Sequence, residues 1–247
     1  MTKKLLIVVV LSIVVSSFFS QNKDEKNRKA GFLVGSLVPI NYFGVGPLEV
    51  SENNSSISIN NKLGYCFGML LKTDYSKKIS LETGIVFCQR NFKLTGVTSN
   101  QASILRDTNS FGYVNYSSPI KGIIYVQLNK YLFMRNSIGF NIDYYASAVA
   151  SKGVNFLIDH YSERARWING SLSGELGIEK RNSKIGVFYI GAEINIPISS
   201  IAVTRIKFYY DGQIYDRYEP IFLRGNFFGI KLKYYLPVEM EGEKKED

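Results

Sequence analysis

Between Lys29 and Pro237 apolar and polar side chains alternate residue by residue, the period of strands whose two faces meet different environments. The clearest run sets Ile79, Leu81, Thr83, Ile85 and Phe87 against Ser80, Glu82, Gly84, Cys88 and Arg90. Another sets Leu132, Met134, Ile138, Phe140 and Ile142 against Arg135, Ser137, Gly139, Asn141 and Asp143. In a third, Ile168, Leu172, Leu176 and Ile178 oppose Asn169, Ser171, Ser173, Glu175 and Glu179. Residues 188–196 and 228–234 repeat the pattern, with Glu193, Lys231 and Lys233 on their polar faces. Leu63, Tyr65, Phe67, Met69 and Leu71 oppose Gly64, Cys66, Gly68 and Lys72. Two strands are less regular: 31–43 is apolar on both faces and holds Pro39, while 113–126 carries Lys121 and an internal Pro119. Proline removes a ladder donor, so both prolines are expected to mark bulges near a rim.

The connections between these eight segments keep strict phase. Long ones fall at 44–61, 93–110, 147–165 and 199–220, and tight ones at 75–77, 127–130 and 180–183. An open sheet has no reason to alternate in this way. A membrane barrel does, because its turns are short on one side and its loops are free to grow on the other. The expected fold is therefore all-β, an eight-stranded antiparallel up-and-down transmembrane β-barrel over 29–237. Its small polar-face residues suit the narrow interior that eight strands enclose, which side chains fill without leaving a pore. Aromatics at strand ends are expected to form interfacial girdles: Tyr42, Phe92, Tyr113, Tyr144 and Trp167 at one level, Tyr125, Tyr131 and Tyr235 at the other.

The N-terminus adds a compartment. Lys3 and Lys4 precede an apolar run and a small-residue exit, the plan of a secretory signal peptide over 1–20. A polar segment, 21–28, follows it, and a charged tail, 238–247, follows the barrel. The expected location is the bacterial outer membrane with both termini periplasmic. The formal net charge is +9, but Lys and Arg are scattered rather than clustered on one face. That pattern suits contact with outer-membrane lipid and anionic lipopolysaccharide, and it excludes a nucleic-acid role.

Inward parity brings charges of both signs into the lumen: Glu82, Asp143, Glu175, Glu179 and Glu193 against Arg90, Lys121, Arg135, Lys231 and Lys233. Unpaired charges there would be very costly, so they should pair into a network that plugs the barrel. Cys66 and Cys88 fall inward on neighbouring strands, opposed or one diagonal step apart. Either a cross-strand disulfide or two free thiols fits that placement. With no His near them they do not make a metal site, and no cofactor motif is present.

The lone histidine, His160, stands two residues before Ser162. This His-x-Ser spacing resembles the outer-membrane lipid A 3-O-deacylases, which implies a His base activating a Ser. If the strand extends that far back, both residues take the lipid-side parity of Ile168. Glu163 stands where that family has Asn, and Glu175 has the wrong parity to orient the base, so the expectation is a non-catalytic barrel.

The segment Tyr116-Ser-Ser-Pro-Ile-Lys121 leads into Tyr125, a tight turn and the Gly-aromatic strand Asn136-Ser-Ile-Gly-Phe140. It resembles the PorT-like outer-membrane β-barrel family, although that family's order is Ile-Pro rather than Pro-Ile. The resemblance implies an accessory role in protein secretion or surface assembly of the type IX kind, with secretion-machinery proteins as partners. Arg205, Lys207, Tyr209, Tyr210, Tyr215 and Arg217 in the last long loop would then form a contact surface, since aromatic and Arg side chains are typical anchors. A stand-alone structural or adhesive barrel is the other reading.

Overall fold

A computed structural model of the chain describes residues 28–40, 48–52, 55–100, 103–146, 148–155, 158–210, 213–217 and 220–237. The expected signal peptide, nearly all of the polar segment after it, Tyr42 and the charged tail lie outside the described residues. The strands are β1 (Arg28–Pro39), β2 (Leu48–Glu52), β3 (Ser55–Asp74), β4 (Ile79–Asn100), β5 (Ser103–Gln127), β6 (Leu132–Tyr145) and β7 (Val149–Lys152). They continue as β8 (Ile158–Arg164), β9 (Ile168–Asn182), β10 (Gly186–Pro197), β11 (Ala202–Tyr210), β12 (Gln213–Arg217), β13 (Ile221–Leu223) and β14 (Phe227–Tyr235).

Eight of these close a cylinder. Each of β1, β3, β4, β5, β6, β9, β10 and β14 pairs antiparallel with the next, and β1 then pairs with β14. Closure leaves the cylinder no free edge. Its outer surface is apolar, with Val34, Met69, Ile85, Ile138, Leu172 and Ile190 all exposed, while the charged residues point inward. A polar core inside an apolar shell is the inverse of a water-soluble sandwich and requires lipid as the outer solvent. Among the described residues no helix is long and apolar enough to cross a membrane. The fold is an eight-stranded transmembrane β-barrel.

The tight turns are set by single side chains. Ser76 Oγ accepts from the Lys78 and Ile79 amides, Asn129 Oδ1 from Tyr131 and Leu132, and Asn182 Oδ1 from Lys184 and Ile185. These local bonds satisfy backbone donors that the reversing chain cannot pair across the ladder.

Neither proline makes a bulge. Pro39 is the last residue of β1, and Pro119 lies inside β5 with unbroken register to β6 through its pair Asn141. Its missing N–H instead leaves a gap in the β4–β5 ladder between the Thr83–Ile120 and Val86–Ser117 pairs. The bulge falls on β3 between Lys62 and Tyr65, and it switches parity. Ile57 and Ile59 face inward before it, and Cys66, Leu70 and Lys72 after it.

The long connections are largely built of strands. Residues 93–100 and 103–110 continue the β4–β5 hairpin, and 147–165 contains β7 and β8. Together with β11, β12 and β13 from the 202–223 region they form a second sheet, ordered β12-β11-β8-β7 with β13 on β11. It packs over one end of the barrel through Ile57, Leu94, Phe111, Ile158, Ile206 and Leu223. The girdle expectation is corrected in the same way. Phe92, Tyr113, Tyr125 and Tyr235 follow inward parity and are buried, whereas Tyr131, Tyr144 and Trp167 are exposed.

The membrane-facing surface is open to a direct test. Ile138 is 77% exposed on β6. Ile138→Arg should destabilise the barrel by about 2–4 kcal/mol in reversible folding into bilayers if the site sits near the midplane. The same substitution on a solvated sheet face would change stability by no more than about 0.5 kcal/mol.

Candidate functional site

Inside the barrel six cations, Lys72, Arg90, Lys121, Arg135, Lys231 and Lys233, are buried with five carboxylates, Glu82, Asp143, Glu175, Glu179 and Glu193. Register explains how they fit. Lys121 stands opposite Gly139, Arg135 opposite Gly177, and Lys231 between Gly35 and Gly191. Each glycine leaves the volume that a long basic chain needs. A Cβ on Gly139 would lie 2.7 Å from Lys121 Cγ and 2.3 Å from the Ile120 carbonyl.

Like charges also meet. Glu175 and Glu193 are directly paired across β9 and β10, a repulsive arrangement by itself. Lys121 Nζ resolves it by bridging both, at 2.5 and 2.6 Å. Lys233 joins Glu82 and Glu175, each at 2.7 Å, and Arg135 reaches Glu82 at 2.5 Å and Glu179 at 3.5 Å. Lys231 pairs with Glu193 at 2.8 Å and Lys72 with Glu179 at 3.0 Å. Asp143 accepts from Asn115 and Ser171. Arg90 donates to Asn115 and, at 2.9 Å, to the carbonyl of Gly225, a residue at φ +78° that a side chain would strain.

The sequence expectation placed ten of these residues in one network, and they occupy one continuous interior. Lys72 has the same parity and belongs with them. Tyrosines complete the polar shell: Tyr125 donates to Glu179 and Tyr235 to Glu82, while the Arg135 guanidinium lies 4.4 Å from the Tyr189 ring centre. The cavity left among Glu82, Arg90, Lys121, Glu193, Asn195 and Lys231 holds about 20 Å³. That is space for about one water molecule, and it admits no solute path.

Cys66 and Cys88 are directly paired across β3 and β4, and both are free and buried. Among the described residues no group of three or more His, Cys, Asp or Glu side chains is placed to hold a metal ion.

His160 and Ser162 are brought together, but not on the lipid side. β8 belongs to the second sheet beyond the barrel, and both side chains are buried, His160 at 2% and Ser162 at 0% exposure. His160 Nε2 lies 2.7 Å from Ser162 Oγ, which lies 2.6 Å from Thr204 Oγ1. Ser151 Oγ lies 2.9 Å from Nδ1 and accepts from Asn109. Asn109 donates to Ser151, and the contacts run on from Ser151 through the two ring nitrogens of His160 and Ser162 to Thr204. Phe111 stacks on the ring at 3.9 Å, and burial pushes the histidine down to about 4. Where a serine hydrolase would have a carboxylate, Ser151 stands. This chain staples β5, β7, β8 and β11 together. Sequence spacing indicated Ser162 alone, because Asn109, Ser151 and Thr204 come from distant strands.

The expected contact surface is divided. Arg205 is exposed and pairs with Glu163, and Lys207 is half-buried beside it in a cleft of about 490 Å³ that Lys152, Asp159 and Tyr161 also line. The backbones of Tyr209, Tyr210, Tyr215 and Arg217 lie in β11 and β12, and their side chains lie outside the described residues.

No protein-family model and no curated protein matches the chain. Solved structures with a similar outline are outer-membrane barrels. The outer membrane protein OprG from Pseudomonas aeruginosa is 9% identical over 86% of this chain and 98% of its own, with a TM-score of 0.46. The translocator domain of the autotransporter NalP from Neisseria meningitidis is 11% identical over 95% and 97%, at 0.34. The outer membrane protease OmpT from Escherichia coli is 8% identical over 86% and 95%, at 0.35. At these scores the barrel assignment rests on strand closure and the inverted polarity of this chain.

Two outcomes test the site. Glu175→Ala removes one arm of the Lys121, Lys233 and Arg135 contacts and should lower folding stability by about 3–5 kcal/mol in urea titration. For His160, the opened rim takes up a proton at the ordinary value of 6.5 and the packed rim only near 4. Rim stability should thus be full above pH 6.5 and fall as pH drops toward 4, by up to about 3 kcal/mol. Amide exchange in β7 and β8, corrected for intrinsic rates, reads this directly, and His160→Gln should flatten the dependence.

Proposed function

We propose that this chain is a non-catalytic outer-membrane β-barrel that serves as an accessory component of protein secretion or surface assembly. The observation that carries the reading is a sealed lumen beneath an ordered rim. A barrel whose interior is filled by paired charges does not conduct solutes, so its work falls to surfaces. The connections expected to be loops form a five-stranded sheet with its own core, and that sheet holds Tyr161, Arg205 and Phe222 exposed on a fixed frame. Preorganised aromatic and Arg side chains suit docking to a protein partner, because little ordering entropy remains to be lost on binding.

The Pro-Ile-Lys segment supports the same class through its resemblance to PorT-like barrels. In the outer membrane the rim would face outward and both termini would be periplasmic. A stand-alone structural or adhesive barrel would use the same sheet without a stable partner.

Native mass and composition after mild detergent extraction separate these readings. A discrete complex with the same co-purifying proteins in replicate is the expected result. Tyr161→Ala combined with Arg205→Ala should weaken that association at least about tenfold while leaving the barrel folded. A lone monomeric particle would overturn the accessory role in favour of the structural one.

A further inference from the structure

The tight turns at one end of the barrel carry a collar of exposed cations. Lys77 and Lys78 lie in the β3–β4 turn, Lys130 in the β5–β6 turn and Lys184 in the β9–β10 turn, and Lys180 stands beside them near the end of β9. Among the described residues none of these five lysines has a carboxylate partner, and the acids nearest this end are already taken. Asp74 pairs with Lys29 at 2.8 Å, and Glu179 pairs with Lys72 at 3.0 Å and with Arg181 at 2.7 Å.

Lys180 differs from the other four in its setting. It is paired with Leu132 and Phe188 and shares the outward parity of Leu176 and Ile178, so it is a cation on an otherwise apolar, lipid-facing wall. That wall is hollowed beside it. A groove of about 560 Å³ is lined by Lys180, Leu132, Ile178, Phe188, Ile190 and Tyr234 among others. Register orders these residues along the barrel: Leu132, Lys180, Phe188 and Tyr234 form the row next to the turns, and Ile178 and Ile190 lie in the row nearer the middle. The Arg181 amide donates to the Tyr131 carbonyl at 2.9 Å, which holds the turn bearing Lys130 against the strand bearing Lys180.

We infer that this groove is a binding site for one anionic glycerophospholipid, with its phosphate on Lys180 and Lys130 and an acyl chain along Ile178 and Ile190. The groove has the polarity of such a lipid, charged at the level of the turns and apolar toward the membrane interior. A lysine stem lies along apolar surface while its ammonium group reaches the headgroup level. Each basic side chain near an anionic membrane surface strengthens association about fivefold. A zwitterionic headgroup would bring its own cation into the collar and lose that gain. The adjoining turns are too short to enclose a sugar headgroup, so the site offers a phosphate little beyond ammonium groups. It lies at the end of the barrel opposite the second sheet and is independent of what docks there.

The test uses the full-length protein in phosphatidylcholine bilayers containing a small, equal share of brominated phosphatidylglycerol or brominated phosphatidylcholine. Phe188→Trp combined with Trp167→Phe leaves one tryptophan, in the groove. Half-quenching should need at least about fivefold less brominated phosphatidylglycerol than brominated phosphatidylcholine, and Lys180→Gln should weaken that preference about fivefold. Equal quenching by the two lipids would mean that ordinary bilayer lipid fills the groove, and it would overturn the site. A preference that survives intact in the Lys130→Gln, Lys180→Gln protein would overturn it too. If the reporter protein does not fold, native mass spectrometry of the unsubstituted protein decides. Retention of one phosphatidylglycerol and loss of phosphatidylcholine is the expected result, and equal retention, or stronger retention of added lipid A, would overturn the assignment.

Discussion

Paired charge inside a narrow cylinder is the interaction on which the rest of this structure depends. An isolated ion moved into a dry interior loses hydration worth several kcal/mol even after relaxation. Each lumen charge is therefore acceptable only in the company of its partners. Lys121 illustrates the point: it sits between two carboxylates that would repel each other if it were absent. Such a core fixes strand register more sharply than an apolar one. A one-residue slip would turn every ion toward lipid and every aliphatic side chain into the lumen.

The same requirement accounts for the glycines. Long basic side chains fit because glycines face them across the ladder at 139, 177, 35 and 191. Packing and electrostatics are thus one problem here, solved with the smallest residue opposite the largest. A lumen filled in this way leaves no conduit among the described residues, and the proposed function therefore falls to the rim. There the His160 chain and the aliphatic cluster around Leu94 and Ile206 make a rigid platform of what would otherwise be loops.

Much of the barrel was legible beforehand because a strand has a side-chain period of two and lipid is unforgiving. Parity alone sent Glu82, Arg135, Glu175 and Lys233 inward together. The same parity places Phe92, Tyr113, Tyr125 and Tyr235 inside, against the expectation of an interfacial girdle. By length alone the rim segments are expected to be loops, although Ile57 and Ile59, Phe92 and Leu94, and Phe111 and Tyr113 each keep the two-residue spacing of a strand. The β3 bulge conceals this in the first pair by switching parity at Lys62.

The sequence by itself determined the eight barrel strands, the phase of the turns and which charges share the interior, because all three depend on local period and turn chemistry. Only the tertiary structure decided which charges touch, that Cys66 and Cys88 are free, and that Asn109, Ser151, His160, Ser162 and Thr204 form one chain. Those contacts join strands far apart in the chain, and they depend on closure and register that no local window of residues contains.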